Sequence, residues 1–494
     1  MKNLKSNPFA QYSAEEELDF LNDIFYEPSY YKDLVNLLSK GVSRFLLGQR
    51  GEGKSIIIHK IFNDLSQNHT LPLLITRYDS IPLKNNENHL LYKIMQSLTI
   101  AIAKQLFKNK TDRKKLSNLQ KEKLSFFIEL FYSENSSSEF IESAKEIRKI
   151  KSKNKWRSFY NRNLIGLLNS LVNGTVNITA QLIKQSIGID KSDASIAFKD
   201  YLRQLPTKDI ASYSISEVAA WAREKLLSML NSLIGVCSTL GYTSIVVLFD
   251  KIDEFQAING DINKVTDFTI EILTDTDLLL SDNLSIVFSL WSEIKRSLNR
   301  RGVRFDKFNE IDIRWRKDQL EPLIDQRLLH FSIDKSNPVT FASLVPNIQE
   351  RNLIIELADK SPRSLIRLLG TIYNRNINKQ SSDFSSNAIA EGMIEYCQKF
   401  DYESLQPSRL GNQKDLYSWI NRLLRIRKTT FVTTDLNIVF EQKLTSSTKH
   451  VETLLKLGLI EENLVRGLNE VVQYDIIDPR IKHLISRNIL KIDQ

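Results

Sequence analysis

The sequence predicts an α/β fold with a parallel sheet, followed by a helical segment and a small C-terminal domain of helices and a β-hairpin. Three observations predict it. An apolar run, a glycine-rich turn and a helical pattern follow one another between Arg44 and Phe62. The run Ile245–Phe249 is continuously apolar and ends in acidic residues, which is typical of a strand buried on both faces of a parallel sheet. Near the C-terminus, helical patterns precede a stretch that alternates around Gly467 and Asn469, as a hairpin does.

Length and composition indicate a folded protein of about two to four domains. Of the 494 residues, 42% are hydrophobic and 26% are charged. The two cysteines, Cys237 and Cys397, stand far apart, which excludes a disulfide framework and fits a reducing cytoplasm. The first twenty residues lack the apolar core of a signal peptide, and the longest apolar stretch, 163–189, is interrupted by asparagine, glutamine and lysine. A cytoplasmic protein without membrane association is expected.

The glycine-rich stretch GQRGEGKS matches the phosphate-binding pattern G-x-x-x-x-G-K-[ST] in the strand–loop–helix context that this motif requires. Its glycines let consecutive backbone N–H groups surround phosphates, and the positive end of the next helix points at the same anion. The lysine can reach the β- and γ-phosphates of ATP, and the serine can bind Mg²⁺. The alternative is an ordinary glycine-rich turn. The predicted nucleotide-binding residues are Gly48, Gln49, Arg50, Gly51, Glu52, Gly53, Lys54, Ser55 and Ile56.

Three acidic residues follow the second apolar run. Asp250 stands at the carboxyl end of the predicted strand, where open α/β sheets bind their ligands, and Asp253 and Glu254 follow within one turn. We expect Asp250 to hold Mg²⁺ through water, together with the Ser55 hydroxyl. Asp253 or Glu254 then polarises the water that attacks ATP. The alternative is a solvated acidic loop.

The order of these motifs, with a long insertion between them, resembles the bacterial P-loop ATPases of the AAA/STAND-like (KAP-like) class. In the STAND group the acidic motif has the form hhhhD-small-h-D-E, and FDKIDE at Phe249–Glu254 is similar to it, with Lys251 where a small residue is usual. The stretch NPFAQYSAEEELDF near the N-terminus is also similar to the segment before the glycine loop of such ATPases. The resemblance implies that Asp253 is the catalytic acidic residue.

The resemblance also implies two residues that sense the γ-phosphate. Ser289 or Ser292 lies at the end of another predicted strand, where such ATPases place one sensor. Ser361 as N-cap and Pro362 at the first position predict the start of a lid helix, which puts Arg363 in its first turn. In AAA-type proteins an arginine in this setting is the second sensor. The alternative is a surface arginine.

A group of arginines follows the Ser289 strand, namely Arg296, Arg300, Arg301 and Arg304. The resemblance implies an arginine finger here if the subunits form a homo-oligomer, because a finger in trans neutralises charge that develops on the phosphoryl group. Arg301 and Arg304 are the preferred residues for this role. The alternative is a solvated basic helix and loop.

The predicted organisation is a P-loop ATPase domain at 1–330 with a helical insertion at about 108–240, a helical lid at 331–405 and a winged-helix-like domain at 413–494. In the insertion, Lys145–Arg162 interleaves basic and aromatic residues, a pattern that can hold nucleic acid but that also fits a solvated helix or a linker. The candidate reading helix of the last domain, Ser446–Leu457, carries only Lys449, His450 and Lys456 as basic residues. DNA binding and protein packing both remain open for it.

Together these features predict a Mg²⁺-dependent ATPase that acts as a molecular switch or oligomerising regulator with a separate effector protein, in bacterial defence or stress signalling. The alternative is a DNA-binding ATPase for DNA loading or repair, which the net charge of +9 permits. A third hypothesis is a scaffold that holds nucleotide without hydrolysing it, and the acidic pair Asp250 and Asp253 argues against it.

Overall fold

The computed structural model describes residues 2–108, 110–117, 119–120, 123–124, 127, 218–376, 381–405, 416–441, 443–463 and 472–492. The basic segment Lys145–Arg162 and most of the predicted insertion lie outside these described residues. Among the helices in the described ranges, none is both long and apolar enough to cross a bilayer.

A parallel sheet is built from the strands β1 (Arg44–Gly48), β2 (Thr70–Ile75), β3 (Ser244–Phe249), β4 (Leu284–Leu290) and β5 (Glu310–Ile313). Their order across the sheet is β2-β3-β4-β1-β5, which confirms the predicted α/β fold. Every residue of β3 and β4 is buried, and this explains why all of them are apolar except the small residues Ser244, Ser285 and Ser289. Because the strands are parallel, the glycine loop after β1 and the acidic residues after β3 lie at the same edge of the sheet, one strand apart.

Helices cover both faces of this sheet. They are α1 (Leu21–Ile24), α2 (Tyr31–Ser39), α3 (Lys54–Leu65), α4 (Glu87–Lys108), α5 (Lys110–Lys115), α6 (Arg223–Thr239), α7 (Ile262–Thr274), α8 (Thr276–Leu279) and α9 (Lys295–Arg300). Side chains alternate along β1, so that Leu46 packs with α2 and α3 while Phe45 and Leu47 pack with α4, α6 and α7. The helix α4 precedes the predicted insertion, α6 lies at its end, and the two helices pack on each other.

The lid contains the helices α10 (Lys317–Phe331), α11 (Phe341–Leu344), α12 (Ile348–Leu357), α13 (Pro362–Arg375) and α14 (Ser386–Gln398). The C-terminal domain continues with α15 (Leu416–Ile426), β6 (Thr430–Val432), α16 (Thr433–Phe440), α17 (Leu444–Lys456), β7 (Ile460–Asn463), β8 (Gln473–Ile476) and α18 (Pro479–Ser486). Its three strands form an antiparallel sheet in the order β6-β8-β7. This is the arrangement of a winged-helix domain, as predicted.

The lid and the winged-helix domain share one hydrophobic cluster, which contains residues from Trp315 to Ile492 together with Leu4 and Phe9 of the N-terminal segment. Leu320 and Ile324 of α10 belong to this cluster, although the predicted end of the ATPase domain lies at residue 330. The helix α18 of the winged-helix domain packs on α12 and α14 of the lid. The two segments therefore form one packed unit.

The N-terminal segment runs along the lid before it reaches the sheet. Leu4 forms a β-bridge with Ser332. The Arg327 side chain of α10 is buried, and its guanidinium donates to the Gln11 carbonyl and to the Glu17 carboxylate, each at 2.6 Å. These contacts bring residues 12–17 to the edge of the sheet that carries the glycine loop.

Candidate nucleotide-binding site

The glycine loop between β1 and α3 has the backbone that a phosphate cradle needs. Gly51 and Gly53 have φ angles of 86° and 88°, in the left-handed region that glycine enters without steric cost. No side chain caps the first N–H groups of α3, and a Cβ on Gly53 would meet no heavy atom within 4 Å. The helix therefore presents unpaired N–H donors and its positive end to open space, which fits an anionic phosphate.

Lys54 is buried at the floor of this loop. Its Nζ donates to the carbonyl oxygens of Gly48 at 3.0 Å and Gln49 at 2.9 Å. Burial lowers the pKa of the ammonium, whereas the nearby carboxylates of Asp253 and Asp250 act in the opposite direction. The positive charge thus lies between the loop and the acidic residues after β3.

Asp250 lies directly after β3 and is 1% exposed. Its backbone is fixed by the Tyr78 hydroxyl, which donates to the Asp250 carbonyl at 2.7 Å and to the Ile75 carbonyl at 2.8 Å. Its carboxylate Oδ2 is buried and has no hydrogen-bond partner among the described residues. A buried carboxylate oxygen of this kind requires a partner, and with the Ser55 hydroxyl in the same cleft it forms an oxygen donor set that fits Mg²⁺.

Asp253 and Glu254 follow Asp250 in a short 3₁₀ turn, Ile252–Glu254. The turn is reached through Lys251, whose φ of 60° is left-handed. Burial raises the pKa of the Asp253 carboxyl, with Lys54 opposing. Partial desolvation, together with the neighbouring Asp253 carboxylate, raises the pKa of the Glu254 carboxyl. Asp253 is half-buried and Glu254 is exposed, although both line the cleft.

Ser289 lies on β4, between the glycine-loop strand and the acidic strand. It is paired in register with Leu46 of β1, while its neighbour Phe288 is paired with Phe249 of β3. The Ser289 hydroxyl is buried without a hydrogen-bond partner in the described part of the chain. Ser292, the other sensor candidate, begins a 3₁₀ turn beyond the strand.

Arg363 reaches the site from the lid. Ser361 caps α13 by accepting from the Ser364 N–H at 3.2 Å, and Pro362 occupies the first position of the helix, as predicted. The Ser361 hydroxyl also donates to the Gly51 carbonyl at 3.3 Å, and the Arg363 N–H donates to the same carbonyl at 3.4 Å. Arg363 therefore lines the cleft in direct contact with the glycine loop.

The cleft lies between the glycine loop, the acidic turn and the start of α13, and it is partly open to solvent. Tyr12, Ala14 and Glu17 of the N-terminal segment form one wall, which sequence reasoning did not assign to the site. In the sequence, only the resemblance to other ATPases distinguishes the segment before the glycine loop. Glu15 of this segment forms an ion pair with Lys251, so the N-terminal segment is linked to the acidic turn.

Other predicted residues support the loop or lie elsewhere. Among the predicted nucleotide-binding residues, Gly48, Gln49 and Glu52 do not line the cleft. The Glu52 carboxylate accepts from the Gln49 N–H, and the Glu52 carbonyl accepts from Trp315 Nε1 at 2.8 Å. The finger candidates Arg301 and Arg304 are exposed outside the cleft and pair with acidic residues of their own surface, Asp267 and Asp306.

Comparison with solved structures gives likenesses that extend over the whole chain. The ORC2 protein of Aeropyrum pernix, in ADPNP–ADP complexes, is 9% identical, with 99% of this chain and 98% of that chain covered and a TM-score of 0.39. The ORC1 protein of Aeropyrum pernix in complex with DNA is 11% identical, with 99% and 97% covered and a TM-score of 0.37. Cdc6p from Pyrobaculum aerophilum is 12% identical, with 99% and 100% covered and a TM-score of 0.32. No protein-family model and no curated protein matches the chain.

Proposed function

We propose that the protein binds and hydrolyses ATP with Mg²⁺ and uses its nucleotide state as a switch that controls assembly. The observation that supports this most is the convergence on one cleft of residues from three distant parts of the chain. They are the glycine loop with the buried Lys54, the Asp250 carboxylate with its unpartnered oxygen, and Arg363 of the lid. This combination provides phosphate binding, metal binding and a contact that can report the γ-phosphate.

The residues of the cleft have separate tasks in this proposal. Lys54 exchanges its two carbonyl partners for β- and γ-phosphate oxygens. Ser55 and Asp250 would hold Mg²⁺, which supplies neutralisation of the phosphate charge. Asp253 orients the attacking water and accepts its proton, a role suited to a carboxyl whose pKa burial has raised. Glu254 is exposed, so Asp253 is the preferred base.

The proposed output is movement of the lid. Since Arg363 contacts the glycine loop through its backbone, a γ-phosphate that attracts its guanidinium changes the position of the helix that carries it. The lid and the winged-helix domain share a core, so both respond together. In a homo-oligomer the exposed Arg301 and Arg304 are available to a neighbouring active site, and the switch acts on other copies or on a separate effector protein. A setting in bacterial defence or stress signalling depends on the resemblance alone.

DNA binding through the winged-helix domain is the second candidate function. Its support is the fold of the domain, with α17 in the position of a reading helix. The basic surface of α17 is small, because His450 is already engaged within the domain. Its Nε2 lies 3.1 Å from Arg422 Nη1, and its ring packs edge-on against Trp419. Lys449 and Lys456 remain for contacts with phosphates.

Steady-state ATP hydrolysis by the wild type, Lys54→Ala, Asp253→Asn and Glu254→Gln tests the proposal. We expect Lys54→Ala to lose nucleotide binding and Asp253→Asn to bind ATP but to hydrolyse it at least about a hundredfold more slowly. Glu254→Gln is the matched control and should keep most activity. Loss of binding in Asp253→Asn, or equal hydrolysis by Lys54→Ala and the wild type, would refute the assignment. Duplex DNA that raises the rate, with a steep loss on adding salt, would favour the DNA-binding candidate.

A further inference from the structure

We propose that Arg480 of the winged-helix domain is a positioning residue for Arg363, so that the C-terminal domain sets the geometry of the nucleotide cleft. This inference rests on the proposed function, because it concerns the residue that would report the γ-phosphate. It assigns to the winged-helix domain a direct role in nucleotide recognition that is separate from any role in binding DNA.

Arg480 is held by contacts from three parts of the chain. Its side chain is 1% exposed. The guanidinium lies over the Phe400 ring of the lid, with Cζ at 3.9 Å from the ring centroid. Nη2 donates to the Asp478 carboxylate at 2.6 Å and to the Asp359 carboxylate at 3.3 Å. A guanidinium buried in this way has one available orientation and transmits displacement instead of absorbing it.

Asp359, which receives the bond from Arg480, lies two residues before Ser361, the N-cap of α13. Asp359 and Lys360 form the turn between α12 and α13, with φ angles of 51° and 62°. Two successive left-handed residues that are not glycine persist only where the surroundings fix them. Within the turn, the Asp359 N–H donates to the Glu356 carbonyl and the Ser361 N–H donates to the Ala358 carbonyl, each at 3.0 Å. The ion pair from Arg480 adds a side-chain contact from 121 positions away in the sequence.

The turn determines where the start of α13 lies. Ser361 follows it directly and bonds both its own helix and the Gly51 carbonyl. Arg363 comes two residues later and lines the cleft. The path from Arg480 to the glycine loop is therefore short, and it passes through a turn, a helix cap and the loop backbone. The shared core around α12, α14 and α18 keeps both ends of this path in one packed unit.

The coupling has two directions, as linkage requires. If Arg480 positions Arg363 for the γ-phosphate, an ATP analogue bound in the cleft also stabilises the attachment of α18 to the lid. ADP, which has no γ-phosphate, produces less of this effect.

The variant Asp359→Asn tests the inference. Asparagine adopts the left-handed conformation readily, so the turn is kept while the charge that meets Arg480 is removed. Arg480 retains Asp478 and Phe400, so the domain stays folded. We expect the affinity for a non-hydrolysable ATP analogue to fall about fivefold or more, with the affinity for ADP changed much less. Lys360→Asn is the matched control, in the same turn but without the bond to Arg480, and should leave both affinities unchanged.

A double-mutant cycle with Arg363→Ala separates positioning from a general structural effect. If Asp359 acts through Arg363, adding Asp359→Asn to Arg363→Ala causes no further loss of analogue affinity. Hydrogen exchange in Pro479–Ser486 should slow when the analogue binds to the wild type but not when it binds to Asp359→Asn. Additive losses, unchanged affinity in Asp359→Asn, or no effect of Arg363→Ala would overturn the inference. Failure of the wild type to bind ATP more tightly than Lys54→Ala would instead refute the proposed function.

Discussion

Replacing Gly51 by alanine is expected to disturb the contact between the glycine loop and the lid. The φ of 86° at Gly51 costs a residue with a Cβ about 1 kcal/mol or more. The added Cβ would also lie 2.7 Å from the Ser361 Oγ. This hydroxyl either rotates and gives up the cap of α13, which is worth about 1 kcal/mol, or the lid moves away from the loop. We expect a total loss of about 2–3 kcal/mol in the free energy of unfolding.

Equilibrium urea unfolding without nucleotide measures this loss. Gly53→Ala is the matched control, because its φ of 88° is nearly the same but its Cβ would meet nothing within 4 Å. It should lose about 1 kcal/mol, from the backbone conformation alone. The difference between the two variants isolates the contact with Ser361.

The double variant Gly51→Ala/Ser361→Gly tests whether a clash with the Ser361 hydroxyl causes the extra loss. Removing the hydroxyl relieves the clash, so the double variant should be about 1 kcal/mol more stable than the sum of the single effects predicts. Strict additivity, or equal losses for Gly51→Ala and Gly53→Ala, would show that the loop and the lid are not in contact at this point.

Two further predictions concern buried charges. Arg327→Ala should lower the free energy of unfolding by about 3–5 kcal/mol, because it leaves the buried Glu17 carboxylate without its partner. Adding Glu17→Gln should recover part of this loss. A loss below about 1 kcal/mol in Arg327→Ala would show that the buried ion pair is not important for stability. Burial lowers the pKa of His483 from 6.5 to about 4. As the pH falls, the His483 imidazole is protonated in the unfolded chain before it is protonated in the folded protein. The contribution of this histidine to the free energy of unfolding should therefore be fully present above pH 6.5 and should decrease by up to about 3 kcal/mol as the pH drops to 4. His483→Phe should flatten the dependence in urea titrations, and an unchanged slope would rule out this histidine as its source.

Several parts of the site could be predicted from sequence because their signals are local. The spacing of Gly48, Gly53 and Lys54 fixes a phosphate loop within eight residues, and the structure places that loop between β1 and α3. The cap formed by Ser361 at the start of α13 is equally local, since the serine side chain bonds an N–H three residues away. The apolar run before Asp250 predicted a buried strand because only a strand covered on both faces tolerates that composition.

The remaining features depend on packing between distant segments. The wall formed by Tyr12 and Glu17 follows from the way Arg327 binds the N-terminal segment, across 310 positions. The roles left open between Ser289 and Ser292 and between Asp253 and Glu254 depend on burial, which sequence spacing does not determine.

The sequence by itself thus determined the strands before the phosphate loop, before Asp250 and at Ser289, the phosphate loop itself, the acidic residues after β3, and the helices and hairpin of the last domain. Each of these has a short-range pattern of apolar or turn-forming residues. Only the tertiary structure decided that the lid and the winged-helix domain share a core and that Arg480 meets Asp359 beside the cleft helix. The physical reason is that such contacts depend on how whole helices pack in three dimensions. The sequence near Arg480 has no periodic or local pattern that identifies a partner 121 positions away.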